Sequence, residues 1–352
     1  MSNTRITIQQ FFGAHNKAPV FDVRSPKEFS AGHIPGAYSL PVFSDEERAE
    51  IGTAYKQIDR QTAIKIGLKY FGSQLNQYLE PVEALTKKHN TNAIYVHCWR
   101  GGMRSSAMAW LLQFYGFDVF IIEGGYKAYR NYVLQQLGLP FQLNVLGGFT
   151  GSGKTQILNH IKTLGIPVVD LEHLAQHKGS AFGNLNNHEQ PTQEQFENNL
   201  VQALSDYYHV DEQGNFFQPQ PIWIENESQR IGLIDITKSF YQTMQSAPLI
   251  TLNIPFEERL AFIVQAYGHY ETNRLKEATI RIQKKLGGLQ TKEALSFIEE
   301  GKFSEAFAIF LSYYDKLYSE SMERSQRKST KISSFNTNLH ENSNLLLQLF
   351  HS

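Results

Sequence analysis

"AIYVHCWRGGMRSSAMAWLLQFYG", residues 93–116, sets three kinds of text end to end. The short β-rich apolar run AIYVHC (93–98) stops at polar residues, as a strand buried in a parallel sheet does. Two glycines and two arginines follow, and MRSSAMAWLLQFYG (103–116) then carries apolar residues at helical spacing up to Gly116, a residue type that ends helices. Strand, loop, helix is the repeating unit of an α/β layer fold, whose functional loops lie at the carboxyl ends of the strands. This loop holds Cys98, the single cysteine of a 352-residue chain.

The same grammar extends in both directions. VFDVR (20–24) reads as a second strand, and DVFIIEGG (118–125) as a third that leads into the helix YKAYRNYVLQQLG (126–138). A glycine and a proline in LGLPFQ (137–142) interrupt the pattern before a fresh strand, QLNVLGG, so the expected domains are 1–139 and 140–352. The second domain is expected to run through the helix KTQILNHIKTLG (154–165), the strand IPVVDLE (166–172), a helical pattern over 192–210, and the strands PIWIENES (221–228) and PLITLNIP (248–255). From about residue 255 the text is mostly helical, while GSAFGNLNNHEQPTQ (179–193) reads as a mobile loop.

Composition narrows the classes. A hydrophobic content of 41% is ample for ordinary cores and argues against disorder. With 33 Lys and Arg against 34 Asp and Glu, no global field draws the chain to polyanions, so any such site must be local. One cysteine forms no internal disulfide, the N-terminus lacks the pattern of a secretory signal, and no apolar stretch approaches 18 residues. The expectation is a reducing, cytoplasmic setting with no membrane partner.

GGFTGSGKT (147–155) fits G-x-x-x-x-G-K-[ST] between an expected strand and an expected helix, the context a phosphate loop requires. Backbone N–H groups must converge on one anion at a helix N-terminus, where side chains would block approach. Gly148, Gly151, Ser152, Gly153, Lys154 and Thr155 are therefore expected to bind a diphosphate. If a nucleotide is bound, Thr155 is a ligand for Mg²⁺, with Asp170 or Glu225 as acidic partners. A diphosphate ester without a base would satisfy the same cradle, and no resident metal is expected.

Around Cys98, loop amides, a helix dipole and nearby arginines favour thiolate over thiol, which makes the sulfur a nucleophile. Arg100, Gly101, Gly102 and Arg104 are expected to form an anion pocket beside it. On the helix candidate NRLKEATIRIQKK (273–285), Arg274, Arg281 and Lys285 fall near one face, and Trp99 stands beside the cysteine, so these four are candidate RNA contacts.

FDVRSPKEFSAGHIPGA (21–37), the cysteine loop and IEGGYKAYR (122–130) together resemble a rhodanese domain: Asp22, Arg24, Glu28, His33 and Pro35-Gly36-Ala37 match its early motif. Cys98 falls on that family's persulfide-carrying cysteine. One departure stands out, because Arg104 lies six residues after Cys98 where sulfurtransferase loops place arginine five after, a spacing shared with cysteine phosphatases. Joined to a phosphate-loop domain, with SDEERAEIGTAYKQIDRQTAIKIG (44–67) between the motifs, the chain resembles the tRNA 2-selenouridine synthase family. The resemblance implies a rhodanese-like parallel-sheet domain followed by a P-loop NTPase-like α/β domain with a helical C-terminal part. It also implies a transferase that replaces sulfur by selenium at C2 of the wobble 2-thiouridine, in the tRNA anticodon loop. The implied substrates are selenophosphate and geranyl diphosphate, with Cys98 carrying selenium as a perselenide and a selenophosphate-supplying enzyme as a candidate partner. The rival readings are a persulfide sulfurtransferase coupled to an ATP-binding kinase-like domain, a nucleotide-controlled switch module, and a C-x5-R phosphatase, which leaves the early motif and second domain unexplained.

Overall fold

The computed structural model describes residues 4–13, 18–178, 189–211, 215–325 and 327–349. The chain divides into two compact units, residues 1–136 with 197–199, and residues 137–196 with 200–352. Much of the glycine-bearing stretch 179–193, namely 179–188, lies outside the described residues.

In the first unit the apolar runs become a five-stranded parallel sheet in the order Thr4–Ile6, Asp118–Ile122, Ala93–His97, Val20–Asp22, Tyr38–Ser39. The cysteine strand is central, with Val96 in register with Phe21 on one side and Ile121 on the other. Ile94, Val96, Met108, Leu112 and Ile121 are fully buried in one cluster. Burying each such side chain stabilises the fold by about 1.5–3 kcal/mol. The helix Met103–Tyr115 follows the strand, as its spacing predicts, and stops where the Gly116 N–H donates to Leu112 and Gln113 carbonyls. Two helices that the sequence reading leaves unassigned, Asp45–Gln57 and Arg60–Ser73, form a hairpin. Ser44 caps the first through the Glu47 N–H, and Asp59 caps the second through the Thr62 N–H.

The second unit has a four-stranded parallel sheet in the order Ser329–Ser333, Leu249–Asn253, Leu143–Gly148, Ile222–Glu225. Helix Lys154–Thr163 buries Ile157, Leu158 and Ile161 against Leu146, Val168 and Trp223. Two expectations change. IPVVDLE makes only a bridge at Val168 and Trp223, because Asp170 immediately caps the helix Leu171–Ala175 and ends the extension. The helical region after 255 contains a strand, Ser329–Ser333, parallel to Leu249–Asn253; of its five residues only Ile332 is buried, so it lacks an apolar run. The helices Phe256–Tyr267, Thr272–Leu286, Gly288–Glu299 and Phe303–Ser325 share a second core that includes Leu275, Ile282, Phe307 and Phe310. Among the described residues no helix is long and apolar enough to cross a membrane.

Candidate active-site loops

The central strand delivers Cys98 at the sheet's carboxyl edge, 4% exposed and unpaired with any other cysteine. Its loop is clamped from the next crossover, where the Tyr126 N–H donates to the Cys98 carbonyl at 2.8 Å and the Lys127 N–H to the Trp99 carbonyl at 3.0 Å. The clamp requires glycine at 125: φ is +57°, and a Cβ there would stand 2.2 Å from the Cys98 carbonyl oxygen. From the edge strand, Arg5 donates to the Gly101 carbonyl at 3.0 Å and to the Ser106 hydroxyl at 3.3 Å.

Held in this way, the loop turns its backbone onto the sulfur. The Gly102 N–H donates to Sγ at 3.3 Å, the fully buried Ser105 hydroxyl lies 3.4 Å away, and backbone groups of Ser105 and Arg100 add their support. Burial alone pushes the thiol up. The Ser105 hydroxyl and backbone, the Arg104 charge and the Arg100 backbone outweigh it, so Cys98 ionises below the ordinary thiol value. Arg104 is fixed by Glu28 of the early motif, with Nη1 to Oε2 at 2.6 Å, and Arg48 stands 3.8 Å from the same carboxylate. Burial raises the Glu28 carboxyl, but Arg104, the Ser25 amide and Arg48 hold it below the usual carboxylate range. Beneath the loop, buried Arg24 pairs with buried Asp22 at 2.5 Å, donates to the Gly32 carbonyl, and lies 3.7 Å above the centre of the Tyr126 ring.

The expected anion-pocket residues thus contribute unequally. Gly102 supplies an amide and Arg104 a positioned charge, Gly101 is buried against the Arg5 contact, and Arg100 contributes backbone while its residue is exposed. Trp99 is 39% exposed, with its ring centre 6.0 Å from that of Tyr126.

In the second unit the strand Leu143–Gly148 runs into the glycine loop, and helix Lys154–Thr163 begins after Gly153. Gly151 has φ +82°, and a Cβ there would meet the Arg259 carbonyl oxygen at 2.8 Å, so the loop fits against the helix Phe256–Tyr267 only as glycine. Ser152, 1% exposed, braces the turn by donating to the Phe149 carbonyl at 2.6 Å. Lys154 Nζ curls back to the Gly148 carbonyl at 3.1 Å and to Glu225 Oε1 at 3.3 Å, while the Thr155 hydroxyl donates to Glu225 Oε2 at 2.7 Å. Burial alone lowers Lys154, but Glu225, Tyr318 and Glu227 hold it above the ordinary lysine value, so it stays charged.

Four residues absent from the motif complete this site. Tyr318, from the long C-terminal helix, accepts the Gly148 N–H at 3.0 Å. Arg259, 4% exposed, donates to the Thr150 carbonyl at 3.1 Å and pairs with Asp315 at 2.7 Å. Glu172 and Glu227 are pushed up to about 9 and about 8 by burial, then by the Glu225 charge, so both hold their protons at neutral pH. Glu227 was findable from sequence as a second acid two residues beyond Glu225, and Glu172 lies two beyond Asp170. The other two come from the helical region, where the sequence carries no phosphate-loop signal. Asp170 caps its own helix, accepting the His173 N–H at 2.8 Å.

The helix Thr272–Leu286 buries Leu275, Ala278, Ile282 and Leu286 on its apolar side and leaves Arg281 and Lys285 exposed, while Arg274 lies 3.7 Å from Glu271.

Residues 8–132 match the rhodanese-like domain family, and residues 141–341 match the tRNA 2-selenouridine synthase AAA domain family. Among curated relatives, a tRNA 2-selenouridine synthase of Bdellovibrio bacteriovorus is 34% identical over 87% of this chain and 89% of its own. Those of Hydrogenovibrio crunogenus and Shewanella frigidimarina are each 32% identical over 88% of this chain, and over 91% and 89% of theirs. A thiolate-favouring loop in a rhodanese-like unit and a phosphate loop in the AAA unit are thus carried by a chain that belongs to the tRNA 2-selenouridine synthase family.

Proposed function

We propose that the protein is a tRNA-modifying transferase that exchanges sulfur for selenium at C2 of the wobble 2-thiouridine, through an S-geranyl intermediate. The phosphate loop takes the pyrophosphate of geranyl diphosphate, with Lys154 released from the Gly148 carbonyl toward the anion. The thiocarbonyl sulfur attacks the prenyl C1, the S–C bond forms as C–O breaks, and pyrophosphate leaves with the electron pair. A poor leaving group thereby becomes a neutral thiol. If Mg²⁺ accompanies the diphosphate, the Thr155 hydroxyl and Glu225 are the oxygens placed to hold it, and the ion would neutralise developing phosphate charge.

Selenophosphate suits the cysteine loop, whose amides and Arg104 address a tetrahedral anion. Its selenium attacks C2, and the prenyl thiol departs with a proton. Making a perselenide on Cys98 directly from selenophosphate would leave phosphorus reduced to phosphite. The balanced role of the thiolate is attack at phosphorus: S–P forms, P–Se breaks, selenium stays on the base, and water then cleaves S–P. Trp99 offers a face on which an extruded base stacks, and exposed Arg281 and Lys285 offer charge to RNA phosphates.

The observation that carries the reading is a buried sulfur held below the ordinary thiol value by the Ser105 hydroxyl, backbone groups and Arg104, in a chain of this family. The test is mass spectrometry of nucleosides after incubation with thiolated tRNA, geranyl diphosphate and selenophosphate, each omitted in turn. Wild-type rates of selenouridine formation by Cys98→Ser would remove the cysteine from the reaction. Wild-type geranylation by Lys154→Ala would remove the phosphate loop from it.

A further inference from the structure

The hairpin of Asp45–Gln57 and Arg60–Ser73 is built around small residues. Gly67 lets the Phe43 ring approach, since a Cβ there would lie 3.3 Å from its Cζ, while a Cβ at Gly52 would meet only Arg48 Nη1, at 4.0 Å. The result is a groove of about 760 Å³, walled by Phe43, Ile51, Ile64, Leu68, Met103 and Ala107. Leu68 is 61% and Met103 56% exposed, an apolar surface left open to water.

The groove adjoins the cysteine loop. Met103 follows Gly102, whose N–H donates to the Cys98 sulfur, and Arg104 lines both. At this mouth Arg48 and Arg104 share the single carboxylate of Glu28, a surplus of positive charge that suits a ligand whose apolar part is tethered to an anionic chain. The volume falls within the about 300–1,000 Å³ of small-ligand sites.

We infer that this groove is a binding site for the prenyl chain of the S-geranylated base, seating the tail while C2 faces the cysteine loop. The inference rests on the S-geranyl reading above and adds a specificity subsite to it. The chain is fastened at its sulfur to the nucleoside, so a groove that shares Arg104 with the cysteine loop orients the base as well as the tail.

Anticodon-loop RNAs carrying S-geranyl- or S-methyl-2-thiouridine would be titrated against wild type, Gly52→Trp, which fills open space, and Leu68→Glu, which charges an exposed wall. Selenation from pre-geranylated RNA would be followed alongside, with thermal melting to verify folding. The expected result is at least tenfold tighter binding of the geranyl RNA by wild type, and loss of that preference in both variants. The selenation KM then rises at least tenfold, with kcat at saturation retained. An unchanged geranyl preference in folded Gly52→Trp and Leu68→Glu would overturn the inference, as would equal binding of the two RNAs by wild type. A wild-type protein that prefers the geranyl RNA but never selenates it would sink the functional reading and leave the groove standing.

Discussion

Gly125→Ala tests whether the cysteine loop is held by the backbone contacts described above. The new methyl would meet the Cys98 carbonyl oxygen at 2.2 Å, the Gly101 nitrogen at 2.6 Å and the Arg100 nitrogen at 2.9 Å. All three are backbone atoms, so no rotamer change relieves the clash. The left-handed conformation costs an L-residue about 1–2 kcal/mol. Moving the loop away gives up the hydrogen bonds from Tyr126 to Cys98 and from Lys127 to Trp99. At about 1 kcal/mol for each bond, the combined loss is about 3–4 kcal/mol. For a unit of this size the melting midpoint falls by about 10 °C. The assay is calorimetric melting, paired with thiolate ultraviolet absorbance against pH, which the single cysteine makes unambiguous. Gly72→Ala is the control, because a Cβ there meets nothing within 4 Å. If Gly125→Ala melts within a degree of wild type and its thiol titrates unchanged, the clamp does not hold the loop.

Ser105→Ala removes the hydroxyl 3.4 Å from the sulfur, so the thiolate absorbance midpoint moves to higher pH; an unchanged midpoint contradicts the assignment. Glu172 and Glu227 keep their protons in the fold at pH values where the unfolded chain has lost them, so the folded state binds more protons and stability falls as pH rises. That decline runs from the ordinary value of 4.5 up to about 8 and 9, and Glu172→Gln flattens it in melts across pH. Over the alkaline part of the same window these carboxylates become charged near Lys154, and inorganic pyrophosphate measured by calorimetry binds more weakly. Lys154→Ala lowers pyrophosphate affinity at least tenfold, in line with the about 1.5–3 kcal/mol of a charge-assisted hydrogen bond; retained affinity would place the anion elsewhere.

Both loops were legible because each depends on residues adjacent in the chain: a strand end, glycines, and the first turn of a helix. Periodicity located the central strands for the same reason, since a strand buried on both faces must be apolar throughout. The edge strand Ser329–Ser333 escaped because one flank faces away from the sheet and its residues alternate around Ile332 alone. The partners of each loop escaped for a topological reason. Tyr318 reaches Gly148 across 170 residues and Glu28 reaches Arg104 across 76, and nothing in local text announces such pairings. Ser105 lay inside the quoted loop, but which of its neighbouring hydroxyls turns toward the sulfur is decided by helix phase.

The Glu28–Arg104 bridge has a bearing on how the chain is made. A growing polypeptide exposes its one thiol with no amides gathered around it and no arginine fixed beside it, so that sulfur is mostly protonated and slow toward electrophiles. When the Ser105 hydroxyl and the loop amides close on the sulfur, and the segment around Glu28 docks so that the guanidinium settles, the thiol ionises more readily and the sulfur sharpens as a nucleophile. Maturation of the fold is therefore also the safety catch on its chemistry.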